Sequence, residues 1–264
     1  MKKDNTNFSS AFEKIFGHYC EHINHNDYLY IQRIFKNGIE KYVNRLKALG
    51  FVGNDRVLDA GCGFGQWSLA LSTLNKTVTS CDISSIRINF LNDMMHGCDI
   101  DNIQIDKSSL NELPYSDNTF DAIFCYGVIF LTPWKESLHE LARVLKPNGK
   151  LYISANEVGW YIFLWDKEHN KADNYDPKLV ASKAFSDTIL YNREGIFRQG
   201  MNIIIDLEQI REEFDRLGFV NIQASNEGGL HLNPSVDKPQ PFFYGDHNGK
   251  PNVYELIGTK QVGR

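Results

Sequence analysis

The chain has 264 residues and a formal net charge of −5, long enough to bury one sizeable core with additions and cramped for two full domains. Its acidic balance, with a pI near 5.9, and the lack of a lysine-arginine patch interleaved with aromatics exclude a strongly basic nucleic-acid footprint. The cysteines, Cys20, Cys62, Cys81, Cys98 and Cys125, contain no C-x-x-C pair, and their odd number suits free thiols in a reducing compartment.

The opening MKKDNTNFSS is polar and lacks the apolar core of a signal peptide. No run reaches the roughly 18 apolar residues of a membrane helix; the windows at 122–131 and 160–165 are too short. The expectation is a cytoplasmic protein. Residues 8–26 predict an amphipathic helix, with Phe12, Ile15, Phe16 and Tyr19 recurring at three and four. A second helix is predicted over 28–49, where Ile31, Ile34, Phe35, Tyr42, Val43, Leu46 and Leu49 mark one face and Gly50 ends it. His18, His22 and His25 lie close together here, the first pair four apart. Without a glutamate in the helical metalloprotease arrangement no metal is assigned to them, and they stand as candidate bases or substrate contacts on an otherwise ordinary polar face.

The stretch RVLDAGCGFGQWSLAL (56–71) reads as strand, tight turn and helix. Its alternate glycines, Gly61, Gly63 and Gly65, let the backbone approach a ligand at the carboxyl end of a strand. A phosphate loop is excluded, because Gln66 and Trp67 follow Gly65 where Lys and Ser or Thr are needed. The dinucleotide fingerprint G-x-G-x-x-G is weakened, because Gln66 occupies its third glycine position. TVTSC (77–81) predicts a second strand, and the Asp82 that follows it suits either a ribose-binding carboxylate or a cap for a helix opening near Ser84 and Ser85.

Strand-like runs at 56–59, 77–81, 103–107, 120–126 and 150–155 alternate with helical segments, the mark of a parallel sheet covered on both faces. Pro147, Asn148 and Gly149 predict a turn between the last helix and the fifth strand. Within this region Leu113-Pro114, Asp117 to Asp121, Glu140, Arg143 to Pro147 and Gly149, taken with Asp-x-Gly-x-Gly-x-Gly after the first strand, resemble the class I S-adenosylmethionine-dependent methyltransferases. The branch they resemble handles small molecules and contains quinone-biosynthesis enzymes. The similarity covers about the middle third of the chain.

The resemblance implies an α/β, Rossmann-like, doubly wound sheet of seven mostly parallel strands with an antiparallel last strand, and S-adenosyl-L-methionine as cofactor. It implies cofactor contacts from Asp59, Gly61, Cys62, Gly63, Gly65, Asp82, Ile83, Ser109, Leu110 and Tyr126. Where many relatives place an acid before Leu-Pro to bind the adenine amino group, this chain has Ser109. Either Ser109 substitutes while Leu110 packs on the ring, or Asp106 reaches round. It also implies that residues 1–50 form a helical lid over the cofactor and substrate mouth; Glu140 and Arg143, three apart on one predicted helix, read as a surface or fold-supporting pair.

The core is expected over 51–156 and 201–264, with 157–200, rich in aromatics, as an inserted substrate cap. Most of those aromatics are expected to be the core of the added helices. DLEQIREEFDRL (206–217) predicts a helix capped by Asp206 and stopped by Gly218, with strands at 219–224 and 253–259. The intervening 225–252 is too long for a simple hairpin and forms either a second wall of the substrate site or a surface loop.

Methyl transfer from a sulfonium is a direct displacement that asks mainly for alignment and a dry pocket. A base helps when the nucleophile is a hydroxyl; the candidates are His18, His22, His25, Glu157, His169 and His231. Tyr126-Gly127-Val128-Ile129 replaces the Asn/Asp-Pro-Pro-Tyr/Phe motif of relatives acting on amides and exocyclic amines, and no Pro-Cys nucleophile occurs. A small-molecule acceptor methylated on oxygen is therefore expected. A non-catalytic cofactor-binding subunit and, less favoured, a nicotinamide-dependent oxidoreductase are the alternatives.

Overall fold

The computed structural model describes residues 5–262. Three helices open the chain: α1 (Asn5–Tyr19), α2 (His25–Phe35) and α3 (Glu40–Ala48). They correct two predicted boundaries. The first helix stops at Tyr19, so His22 and His25 fall beyond it. The predicted helix over 28–49 is two helices, because Gly38 adopts φ +67° and its N–H closes on Phe35 O at 2.9 Å; this left-handed C-terminal turn favours glycine. The predicted apolar face survives the break, with Ile31, Ile34, Phe35, Tyr42, Val43 and Leu46 all buried. Asn24 accepts from Asp27 N at 2.9 Å and starts α2.

The sheet follows: β1 (Arg56–Ala60), α4 (Gln66–Ser72), β2 (Thr77–Asp82), α5 (Ser85–Gly97), β3 (Ile103–Lys107), β4 (Phe120–Tyr126), α6 (Trp134–Val144) and β5 (Leu145–Asn156). Then come α7 (Val158–Lys167), α8 (Pro177–Glu194), α9 (Leu207–Arg216), β6 (Phe219–Asn226), the two-residue strands β7 (Asp246–His247) and β8 (Lys250–Pro251), and β9 (Val253–Lys260). The seven long strands form one sheet in the order β3-β2-β1-β4-β5-β9-β6, with β9 antiparallel to both neighbours. The expected doubly wound sheet with an antiparallel final strand is thus present.

The Pro147 turn lies inside β5 rather than before it. Leu145 pairs with Phe120 and Lys150 with Ala122, so residues 146–149 loop out and Asn148 takes φ +64°. Arg143 anchors the facing loop: it donates to Glu140 at 2.6 and 2.7 Å, to Tyr115 O at 2.7 Å and to Leu113 O at 3.0 Å, while Glu140 accepts from Leu113 N at 2.9 Å. This pair supports the fold, as expected.

Alternation along the strands divides the core. Val57, Phe124, Tyr152 and Ile257 pack towards α3, α4 and α5, whereas Leu58, Ile123, Ile153 and Leu256 pack towards α6 and α9. One ionic cluster crosses from the lid to the sheet. Arg45 on α3, fully buried, lies 2.9 Å from Glu227 and 3.2 Å from Glu255 on β9. Glu255 also accepts from Tyr152 Oη at 2.8 Å and from Leu230 N at 2.6 Å. Glu227 accepts from Tyr126 Oη at 3.2 Å and Phe242 N at 2.7 Å.

Removing the cation strands two buried carboxylates, which is far costlier than the net worth of such a pair. Arg45→Met is therefore expected to destabilise the protein by about 3–5 kcal/mol, read as a shift in the urea midpoint at unchanged slope.

Candidate functional site

The glycine turn sits at the carboxyl end of β1. Gly61 N and Cys62 N both donate to Cys81 O at 2.9 Å, which ties the turn to the end of β2. All three glycines have positive φ, +77°, +55° and +89°. A Cβ on Gly61 would stand 2.6 Å from Val128, and one on Gly65 2.3 Å from Leu91, whereas one on Gly63 would meet nothing within 4 Å. Packing thus requires Gly61 and Gly65, and Gly63 is the glycine that faces open space.

Asp82 joins the two halves of this site. One carboxylate oxygen accepts from Gly63 N at 3.0 Å and the other from Ser84 N at 2.9 Å, so it both braces the turn and caps the approach to α5. Each oxygen keeps a further lone pair, and the neighbouring Ile83 stands 58% exposed. A backbone cradle, a carboxylate with spare acceptor capacity and an exposed apolar side chain form the donor set that an uncharged nucleoside fits.

Asp59 lies beneath the turn, 1% exposed, and accepts from Ser68 Oγ at 2.6 Å. Burial pushes its carboxyl up to about 7, with the Ser68 hydrogen bond opposing and the Asp82 charge adding. At the end of β3 and in the loop after it, Ser109 donates to Asn111, Leu110 is buried in the α6-side core, and Asp106 accepts from Tyr115 Oη at 3.1 Å. Cys62, 2% exposed, has its thiol raised by burial.

The lid reaches the turn through Tyr30 on α2, whose hydroxyl accepts from Gln66 Nε2 at 3.3 Å. Trp67 lies 4.7 Å, ring to ring, from Tyr126 at the end of β4 and 4.8 Å from Tyr42 on α3. Gln66 Oε1 and Trp67 Nε1 are buried with no partner. Sequence reasoning met Gln66 only as a departure from the dinucleotide pattern, and that departure was the available signal.

The candidate bases separate sharply. His18, His22 and His25 are exposed; His18 and His22 face one another at 5.9 Å, and His25 stacks on Tyr28. His231 bonds within its own loop to Val236 O at 2.8 Å. His169 is half-buried against Trp160 and Phe163, and burial, then the Arg33 charge, lower its pKa.

Glu157, at the end of β5 under α7, is 8% exposed, and burial together with the Asp206 charge pushes it up to about 7. Its Oε2 has no partner, and neither do both amide atoms of Asn252 or the Tyr254 hydroxyl. Asn252, in the bend before β9, accepts from Glu157 N at 2.8 Å, and the Glu157 charge acts on Tyr254.

The aromatics of residues 157–200 divide between core and surface. Tyr161, Phe163 and Tyr191 are buried and Trp160 and Phe197 pack against core clusters, while Trp165 and Phe185 are exposed. Trp160 meets Phe243 at 5.4 Å and Phe163 meets His247 at 5.4 Å, so α7 and residues 227–252 close over the carboxyl edge together. A surface depression lies elsewhere, at the amino ends of β1 to β3, lined by Asp55, Arg56, Lys76, Asp101 and Lys146. It is open and polar, and on the wrong edge for strand-end chemistry.

A family model described as a methyltransferase domain matches residues 57–149. A demethylmenaquinone methyltransferase from Corynebacterium urealyticum is 35% identical over 198 residues, 73% of this chain and 80% of that protein. The biotin biosynthesis bifunctional protein of Cellvibrio japonicus is 28% identical over 181 residues, 68% of this chain but only 34% of that protein. Several curated relatives are matched over less than half their length. A geranyl diphosphate methyltransferase solved with S-adenosylmethionine shares the fold, with a TM-score of 0.54, 16% identity and 86% of each chain covered.

A strand-end glycine turn braced by a carboxylate, on a sheet of this topology and with this relative, defines the class: the chain belongs to the class I S-adenosylmethionine-dependent methyltransferases. S-adenosyl-L-methionine is its cofactor, and the nicotinamide alternative is set aside. Among the described residues no helix is long and apolar enough to cross a membrane.

Two outcomes test the turn. Gly63→Ala is expected to cost about 1–2 kcal/mol of stability for its positive φ while S-adenosylhomocysteine affinity, by calorimetry, falls at least tenfold. Gly65→Ala adds a clash with Leu91 and should lose about 1–3 kcal/mol more. The second outcome concerns Asp59. Its folded pKa of about 7 lies above its ordinary 3.8, so between those values the folded state holds a proton that the unfolded state releases. Stability contributed by that proton is complete below about pH 4 and is lost as pH rises through 7. Urea titrations from pH 4 to 8 should show wild type losing on the order of a few kcal/mol relative to Asp59→Asn across that window.

Proposed function

We propose that the chain transfers a methyl group to an oxygen of a small-molecule acceptor enclosed between a lid of residues 1–50 and a cap of residues 157–200. The observation that carries this reading is the buried, unpartnered trio of Glu157, Asn252 and Tyr254 under the first turn of α7. These are groups that hydrogen-bond a hydroxyl, on the carboxyl edge where open α/β sheets bind ligands. The name of the demethylmenaquinone methyltransferase relative specifies a small organic acceptor, which supports the same class here.

In this reading Gly61, Cys62, Gly63 and Gly65 shape the cradle, Gly63 and Asp82 receive the amino-acid and ribose portions, Ile83 and Leu110 flank the adenine beside Ser109, Asp59 holds the turn from below, and Tyr126 closes the strand end. Bound there, S-adenosyl-L-methionine supplies an electrophilic methyl group. The chain's own residues exclude water, through the aromatic contacts of α7 with residues 227–252, and orient the acceptor. Glu157, poised near neutral pH by burial, takes the hydroxyl proton as the methyl arrives.

Label transfer from radiolabelled S-adenosylmethionine into fractionated small-molecule pools is expected; label entering only protein or nucleic acid would reject the reading. With the acceptor so identified, log kcat should rise with pH up to about 7 in wild type. Glu157→Gln should flatten that limb and lower kcat roughly 100-fold at unchanged S-adenosylhomocysteine affinity.

A further inference from the structure

Around one ring, Phe242, the protein gathers hydrogen-bond donors that it leaves without acceptors. Trp67, 2% exposed, lies 6.1 Å from that ring and its Nε1 has no partner. Lys41 Nζ stands 5.8 Å from the Phe242 centroid and 4.9 Å from Tyr42, and among the described residues it meets no carboxylate within ion-pair distance. Arg45 Nε, behind the ring, is orphaned as well, its Cζ 5.2 Å from the centroid. One helix earlier Arg33 lies 5.5 Å over Tyr30, again without a carboxylate among the described residues.

The acceptors of this corner are already engaged. Glu227 takes Tyr126, Phe242 N and Arg45, and Glu255 takes Tyr152, Leu230 N and Arg45. Burial raises the Glu255 pKa, with the Leu230 N–H bond and the Arg45 charge opposing. Gln66 Oε1, the orphaned acceptor nearby, belongs to the side chain that donates to Tyr30.

What is left over is a half-buried ammonium, a buried indole N–H and, at the surface, the Arg33 guanidinium. The two cations also work against each other. Burial lowers the Lys41 pKa and the Arg33 charge lowers it further, a cost that a bound anion between them removes. The same Arg33 charge acts on His169 and Tyr175 of the cap, so these cations sit where lid and cap approach one another. The path inward is short: Tyr42 packs on Trp67 at 4.8 Å and Trp67 on Tyr126 at 4.7 Å.

We propose that the methyl acceptor carries an anionic group, a carboxylate or a phosphate, which seats at the Phe242 corner against Lys41 and Trp67 Nε1 with Arg33 at the rim. This inference rests on the small-molecule reading above and names the chemistry of its acceptor. The planar rings of Tyr42, Trp67 and Phe242 then take the uncharged body of the molecule next to the charge, and the positive rim attracts it to a chain that is acidic overall.

The test uses the full chain saturated with S-adenosylhomocysteine, titrated by calorimetry with inorganic pyrophosphate in one arm and benzoate in the other. Saturable binding of one probe is expected, and the arm that binds tells phosphate from carboxylate. In Arg33→Gln/Lys41→Met that affinity should fall at least tenfold with S-adenosylhomocysteine affinity unchanged, and Lys41→Arg should bind as wild type does. Lack of saturable binding to wild type, or equal binding by the double variant, would overturn the proposal. So would loss of S-adenosylhomocysteine affinity in the double variant, which would give the cations to the cofactor's own carboxylate. Label transfer to a neutral small molecule would also refute it while leaving the small-molecule reading intact.

Discussion

The guanidinium of Arg45, shut away from water between Glu227 and Glu255, sets the geometry of the whole carboxyl edge. A buried cation is tolerated only where its partners and their remaining hydrogen bonds are all in place. Here the cation comes from α3 and its partners from residues 227–242 and from β9, with Tyr126 of β4 and Tyr152 of β5 donating to the two glutamates. The lid, the loop over the sheet and three strands are therefore fixed jointly. Tyr126 at the cofactor end and Phe242 at the outer end of the same aromatic stack take their positions from this cluster.

The cofactor half of the site was legible in the sequence because it is local. A buried strand must stop, the chain must turn without side chains, and a carboxylate must stand at the end of the next strand; these constraints fall within residues 56–82. The same locality made the sheet readable from its alternating runs. Boundaries failed where one local signal masked another. Gly38 sits inside an apolar pattern that continues in phase on both sides, so the periodicity concealed the break. The Pro147 turn ends the helix as expected, but β5 had already begun pairing at Leu145.

The acceptor half was not legible, for a physical reason. Arg45 and Glu255 are 210 residues apart, and nothing in the neighbourhood of either announces a buried ion pair. The three histidines drew attention by proximity in sequence, yet His18 near the end of α1, His22 in the turn after it and His25 at the start of α2 are all exposed. Glu157 was one of six candidate bases in the sequence, and what separates it from the other five is its burial where β5 carries it beneath α7. Gln66 and Trp67 lie within the motif, but their unpartnered atoms acquire meaning from Tyr30, Tyr42 and Phe242.

This division follows from what each ligand requires. The cofactor is the same molecule in every member of the family, and it is recognised largely by backbone, which only glycines and strand ends can bring close. The acceptor must be told apart from other metabolites, and discrimination comes from side chains whose buried polar atoms are satisfied by the right partner alone. A protein that spends Arg45 on internal order and leaves Lys41, Trp67 and Glu157 unsatisfied has separated the two tasks. In the proposed reading the ionic cluster holds the walls in place, and the unpaired groups on them select what enters.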